Sequence, residues 1–341
     1  MDAKITKQRI ARLLSYDWLK IIGLCVAAIL VWSLVFTMTG TRIRPSQQFT
    51  VFNHETNLTL DNGFTNDYQR AFKDGVFSYE VIETNINDLA SNHEYAATLR
   101  EARFATDEGD VYFLPAIDDK STAYTDEETG ETKYSRTYLQ TFLNGNFRYA
   151  TDIDKYFTDL ETYLAKFYTD WTDENTLDTA KVEKEFRARA IKNKDKRFKK
   201  EAQIKQGVKN DIDRIEKYRD ALEKIYGYLD NGTVTLVKAG LQNSKGEMLI
   251  EEKNFALNLC PNVDTMGGLK EQFAYYGTRN KVDENGNPQT DKDGKPVTEE
   301  YITAENMSVI FLNMSGVEDG FQYESLLYVV HLIDLYYTPA A

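Results

Sequence analysis

Residues 110–115 read DVYFLP, a run of β-forming side chains closed by a proline, and two similar runs precede it: residues 48–56 (QFTVFNHET) and residues 79–84 (YEVIET). A helix-like pattern lies between each pair of runs, with aromatic residues four apart over residues 64–72 and one apolar face over residues 94–105. Strands that alternate with helices favour a parallel sheet covered on both faces. The sequence therefore predicts an α/β fold.

Two long helical regions follow this segment. Residues 151–171 keep one apolar stripe, and Thr151 is the expected N-cap. Residues 177–229 keep another stripe, but a straight helix of that length would measure about 80 Å, which is too long for a compact domain. We therefore expect a break within residues 192–200, or near Gly207, that produces a long charged helical hairpin.

The C-terminal third of the chain predicts further strands and a final helix. Strands are expected there at residues 233–238, 248–250 and 307–314, a turn at 243–246, and a helix at 324–337. Another turn is expected earlier in the chain, at residues 126–131. An echo of eight residues, DENGNPQT then DKDGKPVT, begins at Asp283 and resembles a calcium-binding loop. Neither register places glycine and glutamate where such a loop needs them, so an exposed hairpin tip is the preferred interpretation of residues 283–296.

The strongest local signal is an apolar run near the N-terminus, residues 21–38 (IIGLCVAAILVWSLVFTM). With its neighbours it makes the stretch 18–39, long enough to cross a hydrocarbon core of about 30 Å. Five basic residues precede the run and two follow it closely, which favours a cytoplasmic N-terminus and an exported remainder. A cleaved signal peptide and a buried core helix are the alternatives to the preferred interpretation, a retained single-pass anchor in the cell membrane.

The composition excludes several classes of protein. The 341 residues include 41 basic and 54 acidic side chains, 19 Gly and 6 Pro, which excludes collagen-like and wholly disordered chains. Two cysteines, Cys25 and Cys260, are too few for a disulfide scaffold or a cysteine-based zinc site, and three histidines leave little room for a histidine-rich metal centre. No nucleophile elbow, phosphate loop or dinucleotide fingerprint is present, so we expect neither a cofactor nor an enzymatic activity.

Candidate ligand-binding residues follow from strand ends, because ligands of open parallel sheets bind at the carboxyl edge. Position alone selects five residues near the ends of the first two predicted strands: Asn53, His54, Glu55, Thr84 and Asn85. His93 lies just before the second predicted helix, where a helix-cap role is the alternative to ligand contact. His331 lies in an apolar helix, where a core role is expected.

A basic run, residues 192–200 (KNKDKRFKK), holds six basic residues in nine. A solvated helical face or a helix–helix corner is the preferred interpretation, and contact with an anionic polymer or with membrane headgroups is the alternative. The run contains one aromatic residue, Phe198, and no nucleic-acid-binding motif, so no nucleic-acid partner is expected.

About a third of the chain resembles a known family. The strand–helix order of residues 48–115, with Asp110-Val111 opening the third strand, looks like the first lobe of the extracytoplasmic solute-binding proteins of ABC importers, which have the type 2 periplasmic-binding fold. Residues 308–316 (SVIFLNMSG), followed by residues 324–337 (ESLLYVVHLIDLYY), are similar to that family's late strand, turn and helix with an early glutamate.

The resemblance implies two lobes that close on a small solute, such as a sugar or a peptide, without bond chemistry. It also implies an ABC permease as partner. Members of the family are usually lipid-anchored or freely exported, whereas an apolar helix replaces that anchor here. The chain is therefore interpreted as a membrane-anchored, degenerate relative with a two-lobed periplasmic-binding-like domain.

These inferences divide the chain into five parts: a cytoplasmic basic tail (1–17), a transmembrane helix (18–39), a first α/β lobe (46–120), a helical region (121–232), and the strands, hairpin loop and helix that complete the lobes (233–341). The predicted function is a membrane-anchored extracytoplasmic solute-binding-like protein linked to an ABC-type transport system, which contacts the lipid bilayer through residues 18–39. The alternative is a non-catalytic accessory or scaffold subunit of a cell-envelope complex that acts through its helical region.

Overall fold

The computed structural model describes most of the chain. The described residues are 7–39, 43–54, 67–89, 93–127, 130, 132–169, 176–243, 247–262, 276–281, 288–292, 294–302, 305–314 and 320–336. The chain divides into two compact units, Met1–Ile43 and Arg44–Ala341, which are described separately below.

The first unit contains one long helix, α1 (Lys7–Thr39). Its segment Trp18–Phe36 has a mean hydropathy of 2.5, and none of that segment is buried by other parts of the chain. At about 1.5 Å per residue, these 19 residues extend close to the thickness of a hydrocarbon core. The predicted N-terminal apolar helix is therefore confirmed, with the length and composition that a membrane span requires.

The second unit is mixed α/β, as predicted. Its strands are β1 (Gln48–Asn53), β2 (Glu83–Asp88), β3 (Val111–Pro115), β4 (Ala123–Thr125), β5 (Thr132–Tyr134), β6 (Thr235–Gln242), β7 (Met248–Asn258), β8 (Tyr276–Asn280), β9 (Thr298–Ile302) and β10 (Met307–Phe311). Its helices are α2 (Asp67–Lys73), α3 (Ala96–Ala105), α4 (Tyr138–Asn146), α5 (Ile153–Leu164), α6 (Thr179–Lys192), α7 (Glu201–Asp230) and α8 (Glu324–Tyr336).

Six of these strands form one sheet in the order β2-β1-β3-β10-β7-β6. β1 is parallel to β2 and to β3, whereas β10 is antiparallel to β3 and β7, and β6 is antiparallel to β7. The parallel pairing expected for the first three strands is confirmed, but the complete sheet is mixed. The sheet is mixed because β10 enters it antiparallel to β3, and because β6 and β7 form an antiparallel hairpin beside β10.

The sheet is covered on both faces, as predicted, and β3 shows how. Val111 and Phe113 pack into one core cluster with α5, α7 and α8, whereas Tyr112 and Leu114 pack into a second cluster with α3 and α4. All four side chains are fully buried. A strand that is buried on both faces has apolar side chains at successive positions, which explains the continuous apolar run in DVYFLP.

The predicted boundaries of two elements were wrong. β2 begins at Glu83, four residues after the predicted start, because Val81 is drawn into the core and Tyr79 and Glu80 form a turn. α5 ends at Leu164 rather than continuing to residue 171, and its N-cap is Asp152 rather than Thr151. The Asp152 carboxylate accepts hydrogen bonds from the first-turn backbone N–H groups, which is how such caps stabilise helices.

The helical hairpin is confirmed, with a break between the end of α6 at Lys192 and the start of α7 at Glu201. Two backbone bonds close α6, from Lys194 N to the Ile191 carbonyl and from Asp195 N to the Ala190 carbonyl. This is the Schellman arrangement, and Lys194 occupies its left-handed position with φ of 49°. The alternative break near Gly207 was wrong, because that residue lies inside α7.

The structure also bears on two predicted hairpin turns and on one helix that was not predicted. β4 and β5 pair antiparallel around the turn expected at residues 126–131, so that hairpin is confirmed. Within residues 283–296, Thr290 bridges Pro296 and Gly294 has φ of 76°, as a tight turn between antiparallel strands requires. α4 was missed, although Thr137 and Gln140 form its capping box.

The predicted division into two lobes is not confirmed. Segments 46–120 and 233–341 both contribute strands to the same six-stranded sheet, and everything from Arg44 onward clusters into one compact unit. No second large sheet occurs in the described ranges, where the two other sheets have two strands each.

Gly207 gives a direct test of how α6 packs on α7. A Cβ atom at this position would lie 2.1 Å from Cζ of Phe186, whose ring is buried against Phe198. Gly207→Ala should therefore destabilise the fold by about 1–3 kcal/mol, as overpacked cores do. Chemical denaturation of the full chain in mild detergent would measure the change in the free energy of unfolding.

The same helix provides the control. Gly227 has no heavy atom within 4 Å of the position of an added Cβ, so Gly227→Ala should raise stability by up to ~1 kcal/mol through helix propensity. Equal effects of the two substitutions would contradict the described packing of Phe186.

Candidate ligand-binding site

The structure separates the five residues that strand position selected. Asn53 and His54 do lie at the carboxyl end of β1, where Asn53 is opposite Asp88 of β2 and Phe113 of β3. Thr84 and Asn85 lie near the start of β2 instead, opposite residues 49 and 50, so their placement at the strand end was wrong. The error follows from the late start of β2. Glu55 lies outside the described residues.

Asn53 is buried without satisfying its polar groups. Its side chain is 1% exposed, and neither its Nδ2 nor its Oδ1 atom has a hydrogen-bond partner among the residues that the structure describes. The backbone carbonyl of Asn53, by contrast, accepts a hydrogen bond from Leu89 N. A desolvated amide of this kind is costly, which marks the strand end as a place where a polar partner would stabilise the protein.

His54 is held in its neutral form beside Asn53. Burial, together with the positive charge of Arg100, lowers its pKa to about 4 against the opposing effect of Asp119. Its ring meets the ring of Tyr138 edge-on at 5.0 Å between centroids. A neutral imidazole among aromatic rings is a packing group at physiological pH.

His93 and His331 do not add to this cluster. His93 begins the short 3-10 turn before α3, which agrees with its expected position beside that helix. His331 lies on α8, and burial lowers its pKa. In the part of the chain that the structure describes, no three His, Cys, Asp or Glu side chains group together as metal ligands would. Cys260 is buried, and burial raises its pKa to about 12.

A cavity of about 340 Å³ lies at the opposite edge of the sheet, where α5 begins. We call it the α5 cavity. Its lining residues are Phe147, Ala150, Thr151, Asp152, Lys155, Tyr156, Asp159, Lys253, Phe255, Leu312, Asn313, Gln322 and Tyr323. Because β10 runs antiparallel to β3, the end of β10 beside this cavity meets the start of β3 rather than its carboxyl end.

Backbone bonds hold the segment before α5 against β10. Thr151 N donates to the Phe311 carbonyl at 3.0 Å, and Asn313 N donates to the Tyr149 carbonyl at 2.8 Å. On the other side, Asn254 of β7 donates to the Asp154 carboxylate at 2.8 Å. Three segments that are distant in the sequence therefore meet at the first turn of α5.

The charged side chains of the α5 cavity balance one another. Lys253 Nζ lies 3.2 Å from the Asp152 carboxylate, and Lys155 pairs with Asp159 one helical turn away. Asp159 and Lys155 are at least half exposed, so their pair contributes little to stability and is open to exchange for a ligand's polar groups. The amides of Asn313 and Gln322 add uncharged donors and acceptors to the wall.

Aromatic rings supply the rest of the wall. Phe147 is 48% exposed although it packs edge-on against Phe255 at 5.8 Å between centroids. Tyr156 packs against Tyr323 at 5.3 Å, and its hydroxyl donates to the Gln322 carbonyl at 3.3 Å. An apolar ring beside neutral and charge-balanced polar groups is a surface for a polar, uncharged ligand.

Sequence reasoning did not find this cavity. The available signals were the acidic first turn of α5 and the aromatic residue Phe147 just before it. Lys253 and Asn313 could not be joined to them, because their positions depend on the pairing of β7 with β10.

Comparisons with known proteins found no family model, no curated protein and no solved structure that matches the chain. The candidate site therefore rests on its geometry.

The neutral state of His54 predicts a pH effect. In the folded protein its pKa is about 4, below the ordinary 6.5, so between these values only the unfolded chain gains the proton. The contribution of His54 to stability should be complete above the ordinary value and should be lost, by up to about 3 kcal/mol, as the pH falls toward 4. Denaturation of wild type and His54→Gln at several pH values would isolate this contribution. Identical pH dependence in the two proteins would contradict the described burial.

Proposed function

We propose that the chain is a membrane-anchored, non-catalytic binding protein whose ligand is a small uncharged saccharide held in the α5 cavity. The observation that carries the proposal is the cavity itself. Its volume of about 340 Å³ suits a small molecule, and its charged groups are paired within the wall. Two acidic and two basic side chains line the cavity, so its wall has no net charge that would favour an ion.

The chemistry of the wall favours a sugar over a peptide. Sugars present many hydroxyl groups, which donate to Asp152 and Asp159 and accept from Lys155 and Lys253. Their apolar ring faces pack on aromatic side chains such as Phe147, which is already exposed at the cavity. Binding of this kind requires no bond chemistry.

The anchor in this proposal is α1. Its apolar segment Trp18–Phe36 has the required length and hydropathy, and basic residues are concentrated before it. A signal sequence meets the same criteria, but residues 37–40 (TMTG) are a poor cleavage site, which supports retention. We therefore place the N-terminus in the cytoplasm and the binding unit outside it.

The resemblance to solute-binding proteins adds a partner to the proposal. The parallel strands β1, β2 and β3, with helices on both faces, support a relation to the first lobe of that family. On this basis the bound solute would be delivered to an ABC-type permease in the same membrane. Residues from Arg44 onward form one compact unit, so the proposed cavity does not depend on closure of two lobes.

Thermal unfolding in the presence of a panel of mono- and disaccharides would test the proposal. A saccharide that binds should raise the melting temperature, with stabilisation of about 2.7 kcal/mol when its concentration reaches 100 times Kd. Phe147→Ala should weaken binding by roughly 2–10-fold, which is the contribution expected of one aromatic face.

Phe72→Ala is the matched control, because Phe72 is 40% exposed on α2 and does not line the cavity. It should leave saccharide affinity unchanged. The proposal fails if no saccharide changes the melting temperature, or if a charged peptide or amino acid stabilises the protein and Phe147→Ala does not alter that effect.

A further inference from the structure

The turn between α6 and α7 forms a strongly basic corner. We define the basic corner as residues 191–200, which contain six basic residues and one acidic residue. Its five lysine residues are all exposed: Lys192, Lys194, Lys196, Lys199 and Lys200. Five ammonium groups within ten residues give this surface a positive field in a chain whose net charge is −13.

The arginine side chains around the corner are already used within the fold. Arg197 pairs at 2.7 Å with Asp195 and at 2.7 Å with Glu80, which is buried. Arg187 joins Glu183 of α6 to Glu201 of α7. Arginine side chains therefore connect the turn to α7 and to the segment before β2.

The corner also exposes apolar surface between its lysines. Ile191 is 77% exposed, the highest value among the described large apolar residues outside α1. Beside it a recess of about 340 Å³ is lined by Ile191, Phe198 and Ile204, with Lys194 and Lys199 at its border. Apolar side chains surrounded by lysine are the composition that binds at a membrane interface.

One backbone position in the corner has a conformation that is unusual for the lysine found there. Lys194 has φ of 49°, in the left-handed region that glycine or asparagine adopts at less cost. A lysine here keeps its charge at the tip of the turn despite that cost. Strain of this kind points to a function for the side chain.

The basic corner contacts a residue that is close to α1 in the sequence. Arg44 Nη2 is 3.4 Å from the carbonyl oxygen of Asn193, so the start of the second unit is in contact with the corner. Only four residues lie between Thr39, the last residue of α1, and Arg44, and the five residue steps span at most about 18 Å when fully extended. The corner is therefore linked, through Arg44, to the segment that follows the apolar helix in the sequence.

We propose that the basic corner binds anionic phospholipid headgroups at the bilayer surface next to α1, with its lysines on the phosphates and Ile191 in the interface. The proposal goes beyond saccharide binding and shares only the membrane anchor with it. Each lysine near an anionic surface should strengthen the local contact by about fivefold. The contact would orient the binding unit on the membrane.

The test uses the full chain in lipid nanodiscs, made either of phosphatidylcholine alone or of an equimolar mixture with phosphatidylglycerol. Acetylation rates of individual lysines, read by mass spectrometry, report their accessibility. The corner lysines should react at least about fivefold more slowly in the anionic discs, and high salt should remove the difference. Lys238, Lys292 and Lys295 are exposed elsewhere and should react equally in both discs.

Charge-matched variants complete the experiment. The triple variant K196Q/K199Q/K200Q should restore fast acetylation of Lys192 and Lys194 in anionic discs. The control K238Q/K292Q/K295Q removes the same charge elsewhere and should leave their protection intact.

The outcomes separate this proposal from its competitors. Equal rates in neutral and anionic discs would overturn it and favour a solvated corner. Protection in both discs that resists salt would also overturn it, because the corner would then pack against protein. If the chain failed to enter neutral discs but its corner lysines were protected by anionic vesicles, headgroup binding by the corner would be supported and the proposed membrane anchor would be overturned. If the chain failed to enter the discs and its corner lysines were not protected by anionic vesicles, the anchor and the headgroup-binding proposals would both be overturned.

Discussion

The second unit depends on one buried ion pair. Arg214 of α7 is fully buried and donates to Asp211 at 2.9 Å and to the Tyr163 hydroxyl of α5 at 2.8 Å. Arg189 of α6 donates to the same aspartate at 2.8 Å and to the Tyr79 hydroxyl at 3.0 Å. Burial alone would raise the pKa of Asp211, but the two arginine charges lower it, so the pair stays ionised.

This arrangement constrains three helices at once. Taking charges out of water is costly, and a buried pair is tolerated only when every partner is in place. Removing one partner from such a pair costs about 3–5 kcal/mol, which is a large part of the stability of an ordinary domain. The spacing of α5, α6 and α7, and with it the position of the α5 cavity and of the basic corner, is set by this requirement.

A second buried group joins the C-terminal helix to α7 and to the segment before β2. Glu324, the first residue of α8, is 2% exposed and accepts bonds from Ser78 N at 3.0 Å and from the Tyr218 hydroxyl at 2.7 Å. Burial raises its pKa and also raises that of Asp110 to about 8. Asp110 accepts a bond from Thr50 N at 2.7 Å and so joins β3 to β1. The two acidic residues that carry the family resemblance therefore act here within the core.

How much could be predicted depended on how local each signal was. β3, α8 and the α6–α7 hairpin follow from periodicity within one segment, and the sequence predicted them closely. Asn53 and His54 do lie at the carboxyl end of β1, although β1 ends at Asn53 and the predicted strand ran to residue 56.

Signals that depend on packing between distant segments were out of reach. The late start of β2 reflects the burial of Val81. The pairing of Lys253 with Asp152 brings together residues about a hundred positions apart, and no local pattern encodes it. The mixed sheet was missed for the same reason, since the insertion of β10 between β3 and β7 is a property of the whole chain.

That insertion has a consequence for biosynthesis. Among the described strands β10 is the last to be synthesised, yet it occupies an interior position of the six-stranded sheet. A nascent chain that has reached only residue 306 presents β3 and β7 with open edges, which are templates for aggregation. The six-stranded sheet cannot be completed until residues 307–311 have been synthesised, so these edges stay open to wrong pairing during that interval.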